Sequence, residues 1–152
     1  MKKISIYTLG LCLSLNVLLL ACSVDLDSSK NGDLDGYWHI TAIDTISTGG
    51  VKDLSNVRLF WAFQKDLLDV RDVDSMRYHY LLRFVKLGSV LQLSQPYIYD
   101  RMNPAGDVPL TDSTFLIRFG INRLEERFLI EHLGSGTMLL RSDSLRISFR
   151  KL

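Results

Sequence analysis

The chain beyond residue 35 reads as all-β: an antiparallel, up-and-down barrel of about eight strands with a short helix or irregular loop near residues 96–123. Three observations predict it. Apolar residues recur with period two in many short runs, brief polar loops separate most of these runs, and a small domain with this many strands must close its edges. A two-sheet sandwich is the alternative use of the same strands.

The first run, 37–45, alternates Trp38, Ile40 and Ala42 with Tyr37, His39 and Thr41, the former set facing the core. The second, 57–63, places Val57, Leu59, Trp61 and Phe63 on one face. Gln64-Lys65-Asp66 then forms a turn into a strand over 67–73. Tyr78, Tyr80, Leu82 and Phe84 form the inward stripe of a strand over 76–87, and Gly88-Ser89 turns it into 90–95. After the excursion come strands at 126–133 and 137–141, split by Gly134-Ser135-Gly136, and at 144–151, with Leu145, Ile147 and Phe149 inward.

The excursion, 96–123, contains all three prolines, Pro96, Pro104 and Pro109, and the turn Pro104-Ala105-Gly106-Asp107, so it must leave the sheet. Its second half, Asp112 to Phe119, fits a short helix or a strand through Phe115, Ile117 and Phe119. Thr111 and Asp112 as caps and Gly120 as a stop favour the helix. A lid or recognition loop would lie here.

Residues 1–21 have the pattern of a signal peptide: Lys2 and Lys3, then an apolar run ending in Leu19-Leu20-Ala21-Cys22. The run carries Ser5, Thr8, Ser14 and Asn16 and makes a poor permanent span. Cys22 directly after Ala21 is the expected lipid attachment point, taking a diacylglycerol through a thioether, with palmitate-type acyl chains as the anchor. Residues 22–35 are expected to be the lipidated cysteine and a flexible tether, and 36–152 the folded domain. The tether contains four aspartates and three serines between Ser23 and Asp35, and as a loose coil it spans on the order of 20 Å. Cys12 is removed with the signal, leaving one cysteine and no internal disulfide.

Charge excludes some partners. The chain has 18 Lys and Arg against 17 Asp and Glu, and loss of Lys2 and Lys3 leaves 16 against 17. Near neutrality, with no basic stripe interleaved with aromatics, argues against nucleic acid.

Gly36-Tyr37-Trp38, at the start of the first strand, resembles the Gly-x-Trp signature of lipocalins. With the lipobox, the acidic tether and the closing Leu145-Arg146-Ile147-Ser148-Phe149-Arg150-Lys151 strand, the chain resembles the lipocalin-like lipoproteins of Bacteroidetes. The resemblance implies that Gly36 permits a close approach, that Trp38 plugs one end, and that a basic residue of the last strand packs across Trp38. Arg150 is the match, with Arg146 next; strict alternation turns both outward. It also implies a cell-envelope, outer-membrane lipoprotein. Asp25 and Asp27 resemble the acidic signal that sends such proteins to the outer face.

No catalytic pattern emerges. His39, His79 and His132 are isolated, with no metal-ligand spacing, and His39 and His79 are expected on the solvent side. There is no Gly-x-Ser-x-Gly elbow and no phosphate loop, and no cofactor is indicated. The acid pairs Asp72 with Asp74 and Glu125 with Glu126 read as solvated charges. Non-enzymatic binding is therefore expected: a small apolar ligand in a barrel lined by Trp61, Phe63, Tyr78, Tyr80 and Phe84, or an envelope protein at the loop rim. Tyr97, Tyr99 and Arg101 offer a stacking face if their strand extends that far. An accessory subunit with a filled barrel is the alternative class, and an enzyme the third.

Overall fold

The computed structural model describes residues 29–152 except Met76. Ten strands follow in order: β1 (Gly36–Thr45), β2 (Gly50–Asp53), β3 (Leu59–Gln64), β4 (Leu67–Asp72), β5 (His79–Leu87), β6 (Val90–Ile98), β7 (Val108–Pro109), β8 (Glu126–Leu133), β9 (Thr137–Arg141) and β10 (Leu145–Lys151). Eight of them close a ring, β1-β3-β4-β5-β6-β8-β9-β10 and back to β1, and every pairing is antiparallel. The two edges of an open meander thus satisfy each other, which decides barrel over sandwich. The short strands β2 and β7 were not expected; they hairpin onto the far halves of β1 and β6.

The two ends of the barrel differ. One has the tight turns 65–66, 88–89 and 134–136 and is here called the narrow end. The other, the mouth, has the long connections 46–58, 73–78 and 99–125. Lys65 adopts φ 58 in its turn, as a two-residue hairpin requires.

Two bulges correct the expected faces. Pairing shifts between Ile40 and Ala42, so Ile43, opposite Ile147, takes the inward place expected of Ala42. His39 does lie on the outer side, beside Arg150 and Phe60 in register, yet it is buried. The 54–58 segment covers it, and its Nε2 stands 2.8 Å from the Val57 carbonyl. The second bulge, between Leu81 and Arg83 in the β5–β6 pairing, accompanies Gln95 at φ 49.

The tether also ends sooner than expected. Gly32–Leu34 form a 3₁₀ turn, and Leu34 is fully buried, its carbonyl accepting the Trp38 indole N–H at 2.8 Å. Residues 31–35 therefore belong to the domain, because burying Leu34 and capping Trp38 outweighs the solvation of the neighbouring aspartates. Cys22, residues 1–21 and the first part of the tether lie outside the described residues.

At the narrow end the basic partner of Trp38 is Lys151, not Arg150. Lys151 is Trp38's partner in register, and its Nζ sits 4.9 Å from the ring centroid and donates to the Asp33 carbonyl at 2.8 Å. Arg150 points out to solvent, as alternation requires. Gly36, at φ 118, passes so close that a Cβ would stand 2.8 Å from Lys151 Cε. The positive φ is what calls for glycine there, and its bare Cα leaves the Lys151 side chain room to lie across Trp38.

Candidate functional site at the barrel mouth

The barrel centre is filled. Trp61 is fully buried, with Phe149, Phe128 and Phe63 centroids at 5.1, 5.7 and 6.0 Å, and Phe63 meets Phe84 edge-on at 5.0 Å. Tyr80 is buried and Tyr78 packs at the core margin. Trp61, Phe63, Tyr78, Tyr80 and Phe84 are thus brought together, chiefly as packing partners of one another and of the barrel wall. One polar atom stands out among them. The Trp61 indole N–H is buried without an acceptor among the described residues, at a cost of about 1–3 kcal/mol.

A plug closes the mouth. Ser113–Phe119 form a 3₁₀ helix, as the caps predict: the Asp112 side chain accepts from the Thr114 N–H at 2.9 Å, and Gly120 stops the helix at φ 81. That hydrogen bond holds the Asp112 carboxyl below its ordinary range. Three residues complete a turn of such a helix, so Leu116 and Phe119 share its inner side. Both are fully buried, and Phe119 meets Tyr80 edge-on at 6.2 Å. Gly120 lies against Ile147 and Ile43.

Two acids expected to be solvated hold this plug instead. The Asp72 carboxylate is buried and pairs with Arg118 at 2.6 Å, while Arg118 also lies 4.2 Å over the Tyr78 ring. Glu126 is buried and accepts the Asn122 and Arg123 backbone N–H groups at 2.8 and 2.9 Å. Their sequence partners Asp74 and Glu125 are exposed, as expected. Burial of Asp72 and Glu126 follows from the return of the excursion over the mouth, a long-range event with no local signal.

Beside the plug is a pocket of about 620 Å³, walled by Ile43, Val51, Ile117 and Leu145 and rimmed by Lys52, Arg118 and Asn122. Val51 is 68% and Ile117 51% exposed, so apolar surface faces water there. Arg118 contributes a further group: its Nε–H is buried without an acceptor among the described residues, since its bond to Asp72 uses Nη2. Sequence reasoning missed Arg118, although its place on the ridge beside Leu116 and Phe119 is legible once the three-residue period is assumed.

The outer wall carries a second array. Tyr99 stacks on His79 at 3.9 Å, Arg101 lies 5.0 Å over Tyr99, and His79 Nε2 is 3.0 Å from Asp69 Oδ1. Asp69 is also bound in a fork by Arg71, whose guanidinium lies over Tyr37 at 5.5 Å. Burial by itself raises the Asp69 pKa, but the His79 and Arg71 hydrogen bonds and charges outweigh it, and the carboxyl ends below its ordinary range. For Tyr37 burial prevails over Arg71 and the phenol is pushed up. Tyr99 and Arg101 line a cleft of about 370 Å³ with His79. Tyr97 does not join them; beyond the Gln95 bulge it lies beside Leu81 and Pro109 in register. A larger cleft, about 750 Å³, lies on the wall beside β8. Its Arg123, Arg127 and Arg141 are matched by Glu125, Glu126 and Asp143, leaving no net charge to select a ligand.

The sequence model of the lipocalin-like domain family matches residues 17–152. No curated protein matches the chain. Two solved structures are similar in fold. A lipocalin-like protein from Bacteroides uniformis superposes with a TM-score of 0.59 at 19% identity, over 80% of this chain and 100% of its own. An uncharacterized protein from Bacteroides eggerthii gives 0.55 at 15% identity, over 78% of this chain and 99% of its own. A closed eight-stranded meander opening on Gly36-Tyr37-Trp38, matched by that family over nearly its whole length, belongs to the lipocalin-like domain family.

Proposed function

We propose that this protein is a lipid-anchored, non-enzymatic binding protein of the cell envelope that takes a small amphipathic molecule at the barrel mouth. A lipocalin-like barrel is a fold suited to small-ligand binding. The reading is carried by one observation: the pocket beside the plug combines four apolar wall residues with two cationic side chains, Lys52 and Arg118, at its rim. An apolar body against Ile43, Val51, Ile117 and Leu145, with a carboxylate head at Lys52 and the solvent-facing side of Arg118, fits this lining. The volume suits a ligand of modest size.

Native mass spectrometry of the full chain, purified gently from its own host, tests this. A co-purifying small molecule is expected, and Ile117→Arg, at an exposed wall position, is expected to lose it. A clean apo mass, or a ligand retained by Ile117→Arg, would refute the assignment. The accessory-subunit reading has its own support. Ile98, Met102, Val108 and Phe115 are exposed around the excursion, an apolar rim that suits a protein partner. Cross-linking from Met102 substituted by a photoreactive residue in intact cells separates the two readings.

A further inference from the structure

We propose that the narrow end of the barrel is a docking face for an anionic lipid bilayer, so that the mouth is presented away from the membrane. The inference rests on the lipid-anchor reading for the position of Cys22, and on three features of the narrow end itself.

The first is where the chain leaves the domain. Residues 29–35 cross the narrow end: Asn31 Nδ2 donates to the Lys65 carbonyl at 2.7 Å, and Lys151 Nζ donates to that of Asp33 at 2.8 Å. From Ser29 back to Cys22 the chain reaches at most about 25 Å fully stretched. The ten residues of β1 at a usual barrel tilt give a barrel height of roughly 25 Å. An anchor at Cys22 therefore brings the narrow end to the bilayer with slack to spare, and the mouth only with none.

The second is charge. The segments forming the narrow end, 29–37, 64–67, 83–90, 133–137 and 149–152, carry six basic side chains, Lys30, Lys65, Arg83, Lys86, Arg150 and Lys151, against three acidic ones, Asp33, Asp35 and Asp66. The mouth connections, 46–58, 73–78, 99–125 and 142–144, carry six basic side chains against seven acidic ones. A chain near neutral as a whole is thus polarised along the barrel axis, positive at the end where the anchor chain emerges. Each basic side chain near an anionic surface changes partitioning by roughly fivefold.

The third is apolar. Leu87, at the tip of the β5–β6 turn, is 67% exposed, and Leu152 is 70% exposed. Leu87 follows the exposed Lys86, and Leu152 lies two residues after the exposed Arg150, on the opposite side of the ring. Leucine beside lysine or arginine is the composition that enters the headgroup layer.

Hydrogen exchange on the full chain, isolated from its host and reconstituted in vesicles, tests the proposal. Vesicles of phosphatidylcholine alone are compared with a phosphatidylcholine and phosphatidylglycerol mixture. In the anionic vesicles, exchange at 86–89 and 150–152 is expected to slow severalfold, while 99–112 is unchanged. High salt and the double substitution Lys86→Glu with Arg150→Glu are both expected to abolish the slowing. Both positions are exposed, and an unchanged urea midpoint shows that the variant still folds. Slowing at 99–112 instead, or identical exchange in the two vesicle types, would overturn the proposal. The intact mass of the same sample reads the lipid on Cys22 directly. A missing lipid thereby refutes the anchor on its own, whereas docking is judged by the exchange pattern.

Discussion

Substituting Gly120 by alanine strikes the seat of the plug and nothing else. The residue sits at φ 81, where an L side chain costs about 1–2 kcal/mol. A Cβ there would collide with the δ-methyl of Ile147 and stand 3.2 Å from its Cγ1. Ile147 is fully buried, so the methyl has nowhere to turn, and crowding of this kind costs a further 1–3 kcal/mol or so. Gly120→Ala should therefore destabilise the domain by about 2–5 kcal/mol. Gly106→Ala is the control, because Gly106 has φ 82 with nothing within 4 Å of the added Cβ, and it should lose only the first term. Adding Ile147→Val removes the offending methyl. By itself it costs about 0.5–1.5 kcal/mol, but in the Gly120→Ala background it should restore stability. Urea unfolding followed by tryptophan fluorescence measures the four variants against the parent chain, with a constant slope m as the check on two-state behaviour. Equal losses for Gly120→Ala and Gly106→Ala, or no recovery with Ile147→Val, would refute a tightly seated plug.

Lys151→Met should cost about 0.5–2 kcal/mol through loss of the cation over Trp38, and Arg150→Met should fall within about 0.5 kcal/mol of zero, both read by urea midpoints. Asp72→Asn removes the buried carboxylate that holds Arg118. A loss of about 1–3 kcal/mol is expected, together with faster hydrogen exchange over 113–119, and unchanged exchange there would show that the ion pair does not hold the plug. Asp69 gives a pH signature. Its folded pKa lies below the ordinary value of 3.8, so its contribution is complete above that value and fades as pH falls through the lower, folded one. Wild type should thus lose stability more steeply than Asp69→Asn below about pH 4. Thermal melts across that range check it, and parallel curves would remove Asp69 from the account.

Much of the barrel is legible in the chain because period-two alternation and turn residues act locally. Leu59, Trp61 and Phe63 face inward as read, and Asp112 and Gly120 bound the plug helix as their cap chemistry demands. Alternation from Leu145 through Ile147 and Phe149 even places Lys151 inward, which is why it, rather than Arg150, meets Trp38. The bulge after Ile40 is not legible. A one-residue shift exchanges Ala42 for Ile43 on the core face, and only pairing with β10 reveals it. His79 and Asp69 likewise come from two strands and Tyr99 from the connection after a third, so no spacing within the chain announces their stack.

By itself the sequence determined the class of fold and the order of the barrel strands, since each is set by neighbours within a few residues. The excursion it left open between helix and strand, and β6 in fact runs on through Pro96 to Ile98 with Pro109 paired against it in β7. Tertiary structure alone decided that Leu116 and Phe119 fill the mouth, that Asp72 and Glu126 are buried to hold them there, and that charge divides between the two ends. Those outcomes depend on which surfaces meet when the sheet closes. Closure joins β1 to β10, residues a hundred or more positions apart, and the pattern of either strand is silent about the other.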